Sequence, residues 1–232
     1  MMTEQNEMKL TTAEPAAFGL LGLAIVTLVA GAVKLGWVDG DYNSYFIVPW
    51  AFMLGAIPQL ITSFMEFRRN NVFGATAFGA YGMFWLGLGL TYMWAFDNNL
   101  ANTNYLDHLG FAFVGYLIFN TYMMIGSMTL NKGLFAVFAF IELLFIGLIM
   151  SIFFADTWAD WGKFAGWAEL GVSISAFYVS AAVVLNQTTC YQVLPLGKPF
   201  LKPKQLCTLP DEATPSIKTA PSDEQIETPS PK

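Results

Sequence analysis

Six apolar runs organise this sequence: Ala16–Leu35, Tyr45–Met65, Phe73–Phe96, Leu109–Leu130, Leu134–Phe154 and Phe164–Leu185. Each is close to the about 20 residues a helix needs to cross the hydrocarbon core of a bilayer. Apolar residues are continuous within each run rather than alternating, which predicts helices and not the strands of an outer-membrane barrel. Charge is correspondingly scarce. Only 12% of the 232 residues are charged, against about 25% in ordinary soluble domains. The expected fold is an all-α integral membrane protein, a bundle of six transmembrane helices.

With six crossings, both termini and the second and fourth connections lie on one side. That side holds Lys9, Arg68, Arg69, Lys132, Lys198, Lys202, Lys204, Lys218 and Lys232, and the other only Lys34 and Lys163. Asp39, Asp41, Asp97, Asp107, Asp156 and Asp160 gather on that second side. The excess of basic residues marks the cytoplasmic face, so both termini are expected in the cytoplasm of a multi-pass plasma-membrane protein. The domain division that follows is a cytoplasmic segment 1–13, a membrane domain 14–197 and a cytoplasmic tail 198–232. The tail is rich in Pro, Ser, Thr and Glu and is expected to be disordered, because it has too little apolar surface to offset its ordering entropy. Met1–Glu14 has no basic segment or cleavage site of a signal peptide, so no processing is expected.

Several function classes are excluded by composition. A net charge of −6 gives no basic patch for nucleic acid. The two cysteines, Cys190 and Cys207, follow the last apolar run and have no metal-ligand spacing; a disulfide is not expected in a cytoplasmic tail. The only histidine is His108, in a loop, so no metal, haem or acid–base set is visible, no cofactor is expected, and an enzyme is not. A sensor or scaffold without transport activity, using the tail for docking, is the alternative function.

Small residues permit close helix contact in lipid. Gly19, Gly22 and Gly31 in the first run, and Gly74, Gly79, Gly82, Gly87 and Gly89 in the third, predict that these two helices form the tightly packed inner pair. Phe78, Tyr81, Trp85, Leu88 and Tyr92 recur at spacings of three and four and share one face. Such a stripe is either packing or the wall of a narrow path.

Polar groups at membrane depth need a partner or water. Gln59 follows Pro58, which frees a carbonyl one turn earlier. Asn120 and Thr121 lie mid-helix, where the depth of Asn120 places it among the expected pore residues, and Ser173, Ser175, Tyr178 and Ser180 line the last run. Glu142 is the most costly, at roughly 2.5–3.5 kcal/mol for a central acidic residue. No basic residue matches its depth. Two roles stand open for it: carrying the proton that accompanies a transported anion, or hydrogen-bonding a neighbouring helix through Asn120 or Ser175. Glu169 is expected near solvent at the start of the last helix, and Lys34 to snorkel outward.

Three motifs carry a resemblance. The first is Glu66-Phe67-Arg68-Arg69-Asn70-Asn71-Val72-Phe73-Gly74 with Thr76-Ala77-Phe78 and Tyr81-Gly82-Met83-Phe84-Trp85. The second is Glu14-Pro15-Ala16-Ala17-Phe18-Gly19-Leu20, and the third is Ala165-Gly166-Trp167 with Asn186 and Val193-Leu194-Pro195-Leu196-Gly197. With these motifs in the family's order from Glu14 to Gly197, the chain resembles the acetate uptake transporter family, the acetate/succinate permeases. The resemblance implies six transmembrane helices per subunit and a homo-hexamer embedded in lipid, each subunit with its own path for acetate. Members are described as proton-coupled carriers or as anion channels. The family's narrow neck falls by motif on Leu23, Tyr81 and Ile141, and its helix-2 glutamine on Gln59. Pro15, Gly19, Glu66, Asn71 and Gly74 are signature positions of structural kind.

The chain departs from the family at Glu14 (asparagine in the signature), at Ala17 (a second proline) and at Leu23 (often aromatic). Glu142 matches no family motif. A monocarboxylate is the expected substrate, with acetate first and succinate after it. A dicarboxylate must desolvate two charges in an apolar neck. Moving a lone anion inward works against about 2.3 kcal/mol per 100 mV of inside-negative potential, which one accompanying proton cancels.

Overall fold

The computed structural model describes residues 13–38, 43–97, 106–154 and 158–202. Of the segment 1–13 only Ala13 is described, and of the tail 198–232 only residues 198–202; Cys207 and the aspartates Asp39, Asp41 and Asp156 also lie outside. The described residues form helices α1 (Ala16–Lys34), α2 (Asn43–Trp50), α3 (Ile57–Arg68), α4 (Val72–Asp97), α5 (Leu106–Ser127), α6 (Lys132–Phe153) and α7 (Trp158–Thr189), and contain no strand. A π-helical turn, Ala51–Ala56, joins α2 to α3. The two helices and this turn make one crossing, so six segments are long and apolar enough to span a membrane, as the six apolar runs predict.

Two prolines account for the wide turn. Pro49 lies inside α2 and Pro58 at the start of α3. Neither can donate to the preceding turn, and the Ile57 amide reaches back to Phe52 O instead. A single-turn π segment of this kind is a common local response inside a membrane helix. It turns the Leu54 carbonyl toward α1, where a Cβ on Gly22 would collide with that oxygen.

The glycines make different partnerships from those expected. α1 packs chiefly on α7, and α4 on α3 and the π turn, while α1 and α4 are not a packed pair. A Cβ on Gly74, Gly79 or Gly82 would meet Glu66 and Asn71, Ser63 or Leu60 respectively, all on α3 or its connection. One on Gly31 would meet the Gly166 carbonyl and Leu170 of α7. α4 approaches α1 where the Phe78 ring crosses Gly19. Glycine density thus identified closely packed helices but not their partners.

α7 is longer than its apolar run and begins at Trp158, with Asp160 in its first turn, where a negative charge complements the helix dipole. Its serines serve packing. Ser173 Oγ donates to Ala24 O and Ser180 Oγ to Ala17 O, both at 2.8 Å across to α1. α5 is the most peripheral helix, with Phe111, Ile118, Tyr122 and Ile125 largely exposed.

Candidate functional site: two cavities along an aromatic stripe

The connection Glu66–Gly74 is built by its own hydrogen bonds. Asn70 adopts positive φ (55°), which asparagine tolerates better than most residues. Asn71 then caps α4, accepting from the Gly74 amide at 3.1 Å, while its Nδ2 donates to Glu66 Oε2 at 2.8 Å. A Cβ on Gly74 would stand 2.7 Å from Asn71 Nδ2, so the glycine is required for this approach. Pro15 precedes α1, and its carbonyl accepts from Thr62 Oγ1 at 3.2 Å. Glu14, the departure from the signature, pairs with Arg69 at 2.7 Å, which offsets the acidity it brings to this face. Near the C-terminal end of α7, Asn186 accepts from the amides of Val193 and Leu194 and donates to the Leu194 carbonyl.

Above this connection lies a cavity of about 100 Å³. It is lined by Leu20, Leu23, Gln59, Glu66, Asn71, Gly74, Phe78, Tyr81, Phe138 and Ile141 among others. Leu23, Tyr81 and Ile141, named for the neck, therefore share one wall-to-wall space with Gln59 and the connection's Glu66, Asn71 and Gly74. Leu23, Tyr81 and Ile141 are each buried. Asn120 does not line this cavity. It stands behind Tyr81, accepting the tyrosine O–H at 2.6 Å. The wall is almost wholly apolar. Gln59 Nε2 donates to Gly55 O at 2.7 Å, while Gln59 Oε1 and Glu66 Oε1 are buried without a hydrogen-bond partner among the described residues.

Further along the aromatic stripe is a larger cavity of about 410 Å³, lined by Lys34, Trp85, Leu88, Tyr92, Lys163 and Glu169 together with residues of α5 and α6. The stripe thus runs along both spaces, with Phe78 and Tyr81 on the first and Trp85, Leu88 and Tyr92 on the second. Trp85 is held by the π turn; a Cβ on Gly55 would lie 2.5 Å from its Cγ. Tyr81 also sits in a cage of rings, 5.4 Å from Phe119 and 6.3 Å from both Tyr116 and Phe138.

The second cavity was not foreseen. Glu169 is 2% exposed rather than near solvent, because α7 begins at Trp158 and carries position 169 inward. Its Oε2 lies 2.7 Å from Lys34 Nζ, whose side chain is 25% exposed. Lys34 and Lys163, the only two basic residues on that side of the bundle among the described residues, both line this cavity. The cue was present in the sequence as two cations sharing an otherwise acidic side. Glu142 is half-buried between α5 and α6, where Thr121 Oγ1 lies 2.8 Å from Oε1 and Asn120 Nδ2 donates to Oε2. Of its two candidate partners, Asn120 is engaged. Ser175 bonds within its own helix instead.

Known proteins share both sequence and fold. A protein of Methanothermobacter thermautotrophicus is 31% identical over 79% of this chain and 91% of its own length. The succinate-acetate/proton symporter SatP of Escherichia coli is 29% identical over 80% of this chain and 96% of its own. The solved structure of the bacterial acetate channel SatP superposes with a TM-score of 0.73 at 29% identity, covering 81% of this chain and all of that one. The sequence matches the GPR1/FUN34/yaaH family over residues 2–198, and the chain belongs to that family.

Proposed function

We propose that this chain moves acetate, and with it succinate and other small carboxylates, across the cell membrane through the two cavities joined at Tyr81. The termini are cytoplasmic, six copies assemble in the lipid, and each copy has its own path. Leu23, Tyr81 and Ile141 form the neck, with Gln59 as its polar contact. The names of the SatP relatives support the substrate class. Acetate permease A of Emericella nidulans supports it too, at 26% identity over 80% of this chain and 66% of its own length.

The observation that carries the proton-linked form of this reading is the unpartnered Gln59 Oε1 in a narrow apolar cavity. A carbonyl oxygen only accepts. A carboxylate brings acceptors alone, whereas a carboxylic acid brings one O–H donor that this oxygen can take. The apolar wall disfavours a bare charge in the same direction. Acetate and its proton therefore pass the neck together, and net charge does not cross.

The test uses purified protein in sealed vesicles with labelled acetate, compared with protein-free vesicles. An imposed pH gradient should drive uptake and an imposed voltage should not. Voltage-driven accumulation with no response to pH would contradict proton linkage and leave an anion channel.

A further inference from the structure

The two connections beside the smaller cavity are held in different ways. Glu66–Gly74 closes its own hydrogen bonds. The connection between α5 and α6 closes only in part: the amides of Met128, Thr129 and Leu130 turn back onto the end of α5. Helix ends leave further carbonyls and amides without an intrahelical partner, and here the partners come from the segment beyond α7. The Met128 carbonyl, just past α5, accepts from the amides of Phe200 and Leu201 at 2.9 and 3.1 Å. The Gly133 amide, in the first turn of α6, donates to the Leu196 carbonyl at 3.0 Å.

Residues 195–201 therefore form a strap across the end of the bundle. Tyr178 Oη of α7 donates to the Pro195 carbonyl at 2.7 Å. Gly197 turns the strap at φ 78°, where a Cβ would stand 2.9 Å from Lys132 Cβ. Past that turn the Phe200 ring meets Phe135 edge-on, with centroids 5.1 Å apart, and Lys132 Nζ lies 5.1 Å from its centre. Phe200 and Leu201 lie outside the stretch 2–198 that matches the family, so the family match does not account for this hold.

The strap grips the connection on both flanks of Leu130. Leu130 lines the smaller cavity and is also 43% exposed, which puts it at the rim. Leu134, one turn further, lines the same cavity. The clamped cavity is the narrow one, about 100 Å³ against about 410 Å³ for the other. We propose that the strap is a positioning element: by holding Met128 and Gly133 it keeps Leu130 over the mouth of the smaller cavity and limits how fast acetate passes there. Among the described residues no hydrogen bond or ring contact joins the strap to Leu23, Gln59, Tyr81 or Ile141, so it acts on rate and not on size selection. The role rests on the acetate pathway proposed above.

Two measurements on the full-length chain test it. Phe200→Pro combined with Leu201→Pro removes both amide donors to Met128 and leaves the family-matched stretch intact. Hydrogen exchange of the reconstituted protein reads the hold itself. Amides 128–135 should exchange about three- to tenfold faster than in the wild type, the range expected when one net backbone hydrogen bond is lost, while those of Glu66–Gly74 stay unchanged. Unchanged exchange at 128–135 overturns the clamp, whether or not the protein moves acetate. In sealed vesicles, corrected for protein-free vesicles, the same variant should move acetate severalfold faster and keep wild-type discrimination against butyrate. An unchanged or slower rate overturns the positioning role; a slower rate with lost discrimination marks a strap that only supports the bundle. If the double proline variant does not fold, Phe200→Ala, which keeps both donors and removes the ring, must raise the rate in the same direction, and no rise overturns the role. A wild type that moves no acetate overturns the role together with the pathway it serves, while the exchange difference still decides the clamp.

Discussion

Lys34 at the end of α1 and Glu169 inside α7 form an ion pair of 2.7 Å at the wall of the larger cavity. It closes the α1–α7 contact at one end of a seam that Ser173 and Ser180 hold further along. Because Glu169 is buried, truncating one partner leaves the other charge uncompensated. Glu169→Ala should lower stability by about 2–3 kcal/mol, below the 3–5 kcal/mol of a fully enclosed pair because Lys34 is partly solvated. The double change Lys34→Met with Glu169→Leu should recover most of it. Thermal unfolding in mild detergent reads both. Equal loss in the single and double variants would show that the site is held by shape and not by charge.

The neck prediction concerns size. Tyr81 is caged by Tyr116, Phe119 and Phe138, so its ring cannot swing aside when a larger substrate arrives. Tyr81→Ala should admit butyrate at rates approaching those of acetate in vesicle uptake. Unchanged size selectivity in a folded Tyr81→Ala protein would make the ring a packing element only.

Helix packing gives a paired prediction. Gly22→Ala sets a Cβ against the Leu54 carbonyl and the Pro58 ring, while nothing lies within 4 Å of a Cβ on Gly87. Overpacking of this kind costs about 1–3 kcal/mol. Thermal unfolding should therefore shift clearly downward for Gly22→Ala and stay near wild type for Gly87→Ala. Equal effects would mean that the π turn yields to accommodate the methyl group.

Assembly is tested on the intact protein. The exposed apolar faces of α5 and α7, with Phe111, Ile118 and Ile174 all above 60% exposed, suit either lipid or a neighbouring copy. Native mass spectrometry in mild detergent with added lipid should find six copies. A monomer that persists across detergents would contradict the hexamer.

Much of this structure was legible in the sequence because the bilayer leaves few choices. Six apolar runs had to become six helical crossings, since only closed hydrogen bonding is tolerated in lipid. The inner cavity was legible through motif: Leu23, Gln59, Tyr81 and Ile141 do share one space. What was hidden depended on rotation and depth. A glycine announces a close neighbour without saying which, so α1 was paired with α4 instead of α7. Asn120 was placed on the path by its depth, yet it stands one layer behind, holding Tyr81. Glu169 read as near solvent because the apolar run starts at Phe164, whereas the helix starts at Trp158. The polar residues before a run extend the helix and so shift the depth of everything after them.

The central claim is that acetate crosses through this chain. Counterflow tests it most directly: vesicles containing the protein are loaded with unlabelled acetate at alkaline pH, where little free acid leaks through lipid, and labelled acetate is added outside. Transient accumulation of label above equilibrium is expected, absent from protein-free vesicles. Unlabelled acetate outside should abolish the accumulation, and a large dicarboxylate such as adipate should leave it unaffected. Label entry no faster than in protein-free vesicles, in a preparation shown to be folded, would contradict it.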